Sequence, residues 1–314
     1  MSNNSDKRSG QMNSPQSYED EIDLSELFTV IWKGKWLIIS MTALFSVIAV
    51  IYALNQPNFY SSEVLLAPAE EEKSLGGLQG QFGGLASLAG INIGGSSSNN
   101  TQLAIQILKS RRFTYDFIEK HNILADLMAV KAWNIKNNTI TYDESLYIME
   151  DDKWVREVVF PLQSKPSMQE AYKKFSQALN IVTDGDTGMV ILSVKHLSPF
   201  IAKQWVDWLV EDINSTMKTR DVYEAEKSTA FLSAQIADTK LTDIREVLYR
   251  LIESQAKTIM FANVRDEYVF KTIDPAEIPE RKAGPKRALI CVLGAIIGGI
   301  LGLMSIFLRY FFKK

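Results

Sequence analysis

Two stretches of this 314-residue chain carry no charged side chain, Trp36–Leu54 ("WLIISMTALFSVIAVIYAL") and Ala288–Leu308 ("ALICVLGAIIGGILGLMSIFL"). As helices rising 1.5 Å per residue they would be about 28 and 31 Å long, the thickness of a bilayer's hydrocarbon core. A core helix of that length normally shows one polar face, and neither run does. The first run begins too far from the start for a cleaved leader, and no A-x-A-like site closes it. The runs are therefore expected to be transmembrane helices at residues 36–54 and 288–308. Everything else in the chain must be arranged around them.

Flanking charge orients the pair. Lys33 and Lys35 precede the first run, whereas the nearest charge after it is Glu63. Excess lysine and arginine marks the cytoplasmic side, and a long loop is exported largely regardless of its own charge. Two spans place both ends together. The expected layout is a cytoplasmic tail at 1–35, an exported domain at 55–287 and a short cytoplasmic tail at 309–314. Within the first tail, Leu24, Leu27, Phe28 and Ile31 recur at helical spacing, which predicts an amphipathic helix leading into the membrane. The exported stretch holds 31 acidic and 27 basic residues, so nothing points to nucleic acid. The single cysteine, Cys291, lies in the second apolar run, so no disulfide holds the exported domain.

Between the spans the pattern is mixed. "FYSSEVLLAP" reads as a strand stopped by Pro68, and residues 74–100 form a Gly/Ser-rich stretch without a phosphate-binding motif, expected to be a mobile loop. "TQLAIQILKSRRFTYDFIEKH" predicts a helix capped by Thr101. Ser167 and Glu170 form a capping box that opens another helix near 167–179. "NIVTDGDTGMVILSVKH" predicts a hairpin turning through Asp184–Gly188. From Ser198-Pro199 no Gly or Pro interrupts the chain until Pro275, so a long helix is expected over about 198–263. Leu241, Ile244, Leu248 and Leu251, with Ala234 and Ala237 before them, repeat at the 3-4 spacing of a coiled-coil seam. Two or three shorter helices without a marked break would fit the same residues. A short strand over Tyr268–Ile273 then returns the chain to its starting side. The fold class is thus an α+β domain with a long extended helix, anchored by two transmembrane helices.

Positive signs of catalysis are missing. Two histidines and one cysteine do not make a metal-ligand spacing or a nucleophile–base arrangement, so no catalytic, metal or cofactor residues are assigned. Glu150, Asp151 and Asp152 are adjacent carboxylates, but an acidic run of this kind is ordinarily a solvated turn.

The distinctive residues lie at the second span. Gly294, Gly298 and Gly302 stand four apart and share a helix face, a smooth groove for close helix approach. Ahead of them, Pro275, Pro279 and Pro285 stiffen a connector over 274–287. A stiff connector joined to a helix-packing face would transmit the position of the outer domain into the membrane.

Several segments together resemble the Wzz-type polysaccharide co-polymerases, the O-antigen chain-length determinants. They are "IDLSELFTVIWKGKW", "YSSEVLLAP", "AIQILKSRRF", "GMVILSVKHLSPFIAKQWVDWLV" and "ESQAKTIMFANVRDEYVFKTIDPAEIPERKAGPKRAL". The resemblance implies a ring-like homo-oligomer, an octamer for example, in the inner membrane, with a periplasmic α+β base and projecting helices. It also implies an O-antigen polymerase and lipid-linked polysaccharide as partners, and no catalytic residues or cofactor. A capsule or exopolysaccharide export adaptor working with a cytoplasmic tyrosine kinase is the alternative, and a purely structural envelope coiled coil is a third.

Overall fold

The computed structural model describes residues 31–69 and 96–312. In chain order the elements begin with α1 (Lys35–Asn55), β1 (Tyr60–Pro68), α2 (Ser96–Leu108), α3 (Arg111–His121) and α4 (Leu124–Met128). Two small hairpins follow, β2 (Val130–Asn134) with β3 (Thr139–Tyr142), and β4 (Tyr147–Ile148) with β5 (Lys153–Trp154). Next come α5 (Met168–Ala178), β6 (Leu179–Thr183), β7 (Val190–His196), α6 (Pro199–Asp238) and α7 (Thr242–Val264). The chain closes with β8 (Phe270–Asp274) and α8 (Arg287–Phe311). These elements form two units, Met1–Gln56 with Lys286–Lys314, and Pro57–Pro285.

The first unit contains α1 and α8, both long and apolar enough to cross a membrane. Most of their surface stays uncovered: Leu44, Ile48 and Ile51 on α1, and Val292, Ile296 and Ile300 on α8, are all more than half exposed. A core helix would be mostly buried, so the soluble-core alternative does not describe this pair.

In the second unit a four-stranded antiparallel sheet has the order β6-β7-β1-β8. The period-2 rule explains its buried face: Val64 and Leu66 of β1 lie beside Leu192 and Val190 of β7, all nearly inaccessible. Against them α6 lays Trp205, Leu209, Ile213 and Met217, one buried residue per turn. Phe113, Phe117 and Phe175, from α3 and α5, complete the core. Ser198 caps α6 by accepting from Ile201 N–H, and Pro199 occupies its first turn. The capping box of α5 is present in full, with Ser167 and Glu170 bonding each other's backbone.

Two sequence expectations need correction. The helix from Thr101 to His121 is two helices. Ser110 breaks it, accepting from Phe113 N–H as the true cap of α3, while Thr101 sits buried within α2. Likewise the helix over 198–263 stops at Asp238 and restarts at Thr242, because Thr239 and Leu241 adopt extended backbone (ψ 123° and 120°). Chain closure then fixes the direction of α7. Tyr268 donates to Asp221 Oδ2 at 2.9 Å, so the chain must return about 26 Å from Asp238, and the roughly 35 Å of α7 does this only by running back along α6. The long helix is one arm of an antiparallel hairpin.

Candidate assembly and coupling surfaces

The break also resets the seam. Along α6 the less exposed positions are Val222, Ala225, Thr229, Leu232 and Ile236, and along α7 they are Leu248, Ile252, Gln255, Ile259 and Ala262. Both series step by three and four, the spacing of knobs-into-holes packing. Of the seam read from the sequence, only Leu248 joins this internal stripe. Leu241 precedes α7 as its N-cap residue, and Ile244 and Leu251 are each 46% exposed on the flank. Ala234 and Ala237 point outward as well. The sequence register presumed an unbroken helix, and a three-residue extended link rotates one arm relative to the other. What remains at the far end of the hairpin is an uncovered apolar strip of Leu241, Ile244, Val247 and Leu251.

On α8 the three glycines face α1. A Cβ placed on Gly294 would lie 2.4 Å from Ala49 Cβ, one on Gly298 would lie 2.9 Å from both Thr42 Cα and Phe45 Cβ, and one on Gly302 would lie 3.0 Å from Ile38 Cα. No side chain fits in such gaps, so the two backbones meet as closely as glycine permits. The partner sequence runs Ala49, Phe45, Thr42, Ile38 as the glycines ascend, which makes the helices antiparallel. Gly299 stands outside this seam, with only Thr42 Oγ1 near it, at 3.8 Å. At one end, Arg287 Nη2 donates to Gln56 O at 3.2 Å.

The proline connector is fastened to the start of β1. Phe59 N–H donates to Gly284 O (3.0 Å), Ala283 N–H donates to Phe59 O (2.9 Å), and Ser62 Oγ donates to Glu277 O (2.7 Å). A Cβ on Gly284 would sit 2.2 Å from the tip of the Phe59 ring, so the ring keeps this place only over a glycine. Ala276, next in the chain to the exposed Pro275, is buried. The first and last residues of the second unit are thereby tied into one two-ply strap, Pro279 and Pro285 lying within its outgoing ply.

Polar groups that spacing did not reveal hold the hairpin to the sheet. Asn214 stands at the start of a charged stretch of α6, yet it is buried. Its Oδ1 accepts from Val269 and Phe270 N–H at 2.8 and 2.9 Å, and its Nδ2 donates to Phe270 O. Those bonds fix where the chain re-enters the sheet. Asp212, also buried, accepts from Lys120 Nζ and bonds His121 Nε2 at 2.8 Å, and the His121 ring stacks on Trp208 at 4.1 Å. His196 accepts from Ser198 N–H on Nδ1, so the proton lies on Nε2 and is donated to Asp126 O. Burial pushes its pKa down, because the imidazolium would lose its hydration; the neighbouring backbone bonds and Asp126 oppose this. Arg156 forks onto Glu170 at 2.7 and 2.8 Å and holds that carboxyl at about 2.

Glu150, Asp151 and Asp152 form the exposed turn of the β4–β5 hairpin, where Tyr147 donates to Asp152. Among the described residues no group of three or more His, Cys, Asp or Glu could hold a metal. All but the last residue of the pre-membrane helix expected at Leu24–Ile31 lies outside the described residues, as does the stretch expected to be a mobile loop up to residue 95, whereas its last five residues, 96–100, are helical in α2.

The described residues form two units, a pair of helices long and apolar enough to cross a membrane, and a mixed helix and strand body that includes a helical hairpin. Part of the chain matches a known family. Residues 20–121 match the family described as Wzz, chain length determinant protein, a segment that includes α1, β1, α2 and α3. The resemblance read from the sequence is thus shown in that segment. No curated protein matches the chain. Among solved structures, a full-length bacterial polysaccharide co-polymerase is 14% identical, with 93% of this chain and 98% of that chain covered, at a TM-score of 0.36. A fragment of WzzB, polysaccharide co-polymerase from Salmonella Typhimurium, is 11% identical over 72% of this chain and 100% of its own, at a TM-score of 0.28. Superpositions this loose support no functional inference.

Proposed function

We propose that this protein is a Wzz-type polysaccharide co-polymerase, a non-enzymatic regulator of O-antigen chain length in the inner membrane. The observation that carries this reading is the match of residues 20–121 to the chain length determinant family, on a chain whose two apolar helices bracket one large folded unit. In this reading both termini are cytoplasmic, as Lys33 and Lys35 favour, and Pro57–Pro285 lies in the periplasm. The protein assembles with copies of itself and acts with the O-antigen polymerase on lipid-linked polysaccharide. It works by contact rather than catalysis. The uncovered strip of Leu241, Ile244 and Leu251 supports self-association at the hairpin, with Leu248 tying it to the internal seam.

The strap and the glycine seam support a route for coupling. Pro275, Pro279 and Pro285 stiffen the outgoing ply, and Gly294, Gly298 and Gly302 lock the span it enters onto α1. The glycine face is taken by the chain's own first span, so a polymerase would be met on the remaining faces of the pair. Deleting the gene and resolving lipopolysaccharide on a gel tests the proposal. Loss of the modal cluster of O-antigen lengths, restored by the full chain, is expected. An unchanged band distribution refutes it, and loss of capsule with normal O-antigen would transfer the role to the kinase-linked export adaptor.

A further inference from the structure

The β2–β3 hairpin is held at its base, by Ile140 against the core and Trp133 against Tyr60, while its outer end is bare. It is an isolated two-stranded ribbon on which all residues from Lys131 to Thr139 except Trp133 are exposed, and such ribbons are marginal by themselves. Its composition is one-sided. From Val130 to Tyr142 the only charges are Lys131 and Lys136, both exposed, and between them Ile135 stands 71% exposed at the turn. The Trp133 ring packs edge-on to Tyr60 at 5.4 Å and lies 6.3 Å from Phe200, with its Nε1 donating to Asn138. Half-buried Trp and Tyr beside lysine is the composition of the headgroup layer.

Chain reach limits where this cluster can be. Tyr60 follows the last residue of α1, Asn55, by five residues, at most about 17 Å of extended chain. Its ring partner Trp133 is held to it, so the cluster is leashed close to the end of a span. At the strap, Ala283 pairs with Phe59 next to Tyr60, and the exposed Arg281 and Lys282 just before it stand closer along the chain to that pairing than the exposed Glu277 and Glu280. Each basic residue near an acidic bilayer adds to its attraction for that surface.

We propose that the β2–β3 hairpin is an interfacial anchor that sets Ile135 at the headgroup–acyl boundary, with Lys131 and Lys136 on acidic phospholipid. This rests on the two-span reading above. It would hold the second unit at a fixed height over the bilayer, so that a movement of the hairpin α6–α7 reaches the strap rather than dissipating in a loose linker.

The test uses the full chain in phosphatidylethanolamine–phosphatidylglycerol vesicles, with a nitroxide on Ile135→Cys in a Cys291→Ser background. Accessibility to oxygen and to an aqueous nickel chelate is read at that site and, for comparison, on Lys240→Cys at the far hairpin turn. The inference predicts an oxygen-to-nickel ratio several-fold higher at 135 than at 240, collapsing to the value at 240 in Lys131→Glu/Lys136→Glu and falling in vesicles of phosphatidylcholine alone. Equal ratios at 135 and 240 in the acidic vesicles overturn it. So does shielding at 135 from both reagents, the signature of a protein contact with another copy. A nitroxide on native Cys291 separates the two readings: oxygen-rich surroundings there keep the spans even if the anchor fails, and aqueous surroundings there overturn both.

Discussion

Gly298 and Gly299 are adjacent on one helix, and the structure predicts that the same substitution has opposite signs at the two positions. An alanine at 298 would place its Cβ 2.9 Å from Thr42 Cα and Phe45 Cβ and 3.2 Å from Met41 O, whereas ordinary contact begins near 3.4 Å. Two of those atoms are backbone and cannot rotate away, so α1 and α8 must separate by about half an ångström along the whole seam. Overpacking of this kind costs about 1–3 kcal/mol, from which the helix propensity gained on Gly→Ala, up to about 1 kcal/mol, is subtracted. Gly298→Ala should therefore destabilise the pair by about 1–2 kcal/mol. At Gly299 the nearest atom would be Thr42 Oγ1 at 3.8 Å, so the propensity gain stands alone and Gly299→Ala should be neutral or stabilising by up to about 1 kcal/mol. The assay is SDS-induced unfolding of the full chain in mixed micelles, followed by far-ultraviolet circular dichroism. A Gly298→Leu strain should in addition show a shifted O-antigen distribution. Equal midpoints for the two alanine variants would refute the seam, and wild-type banding in Gly298→Leu would refute coupling through it.

Asn214→Leu strands two buried N–H donors and should cost about 3 kcal/mol, read as a fall in thermal midpoint without a change in secondary structure at low temperature. His196 binds a proton less readily folded than unfolded, so its contribution is complete above the unfolded pKa of about 6.5 and declines as pH falls below it; thermal midpoints between pH 5 and 8 should show that slope, and His196→Leu should lose it. Glu170 is depressed from 4.5 to about 2, so the Arg156 clamp should stabilise fully above about pH 4.5 and weaken as pH falls toward 2, with Arg156→Ala removing that acid dependence. Ile244→Asp with Leu251→Asp should leave the thermal midpoint nearly unchanged, since both are 46% exposed, yet reduce the oligomer seen by mass photometry in nanodiscs.

Much of the fold was legible where one residue type carries a single physical meaning. Uncharged runs of bilayer length located α1 and α8 within a few residues. The Ser167–Glu170 box located α5, and the Asp-Gly turn located β6 and β7. Breaks made without Gly or Pro were not legible. Thr239–Leu241 bends through ordinary residues, and its consequence, a returning arm that supplies its own seam, comes from Asp221 and Asn214 gripping residues some fifty positions later. Those two polar residues look like solvated surface in a periodic pattern, because nothing in helical spacing reports a distant partner. The same holds for Ser110, whose capping role was masked by the equally suitable Thr101. The glycine spacing on α8 was visible, but the atoms opposite it on α1 were not, since helix register across a membrane pair is a tertiary property. The small hairpins between His121 and Ser167 have too few buried positions to leave an alternating pattern.

One labelling experiment reads the membrane topology directly. In cells carrying Lys240→Cys or a cysteine after Lys314, both in a Cys291→Ser background, a membrane-impermeant maleimide is applied after the outer membrane alone is opened. The two-span arrangement predicts rapid labelling at 240 and labelling beyond 314 only after lysis of the inner membrane. Protection at 240 with labelling at the end of the chain would contradict it.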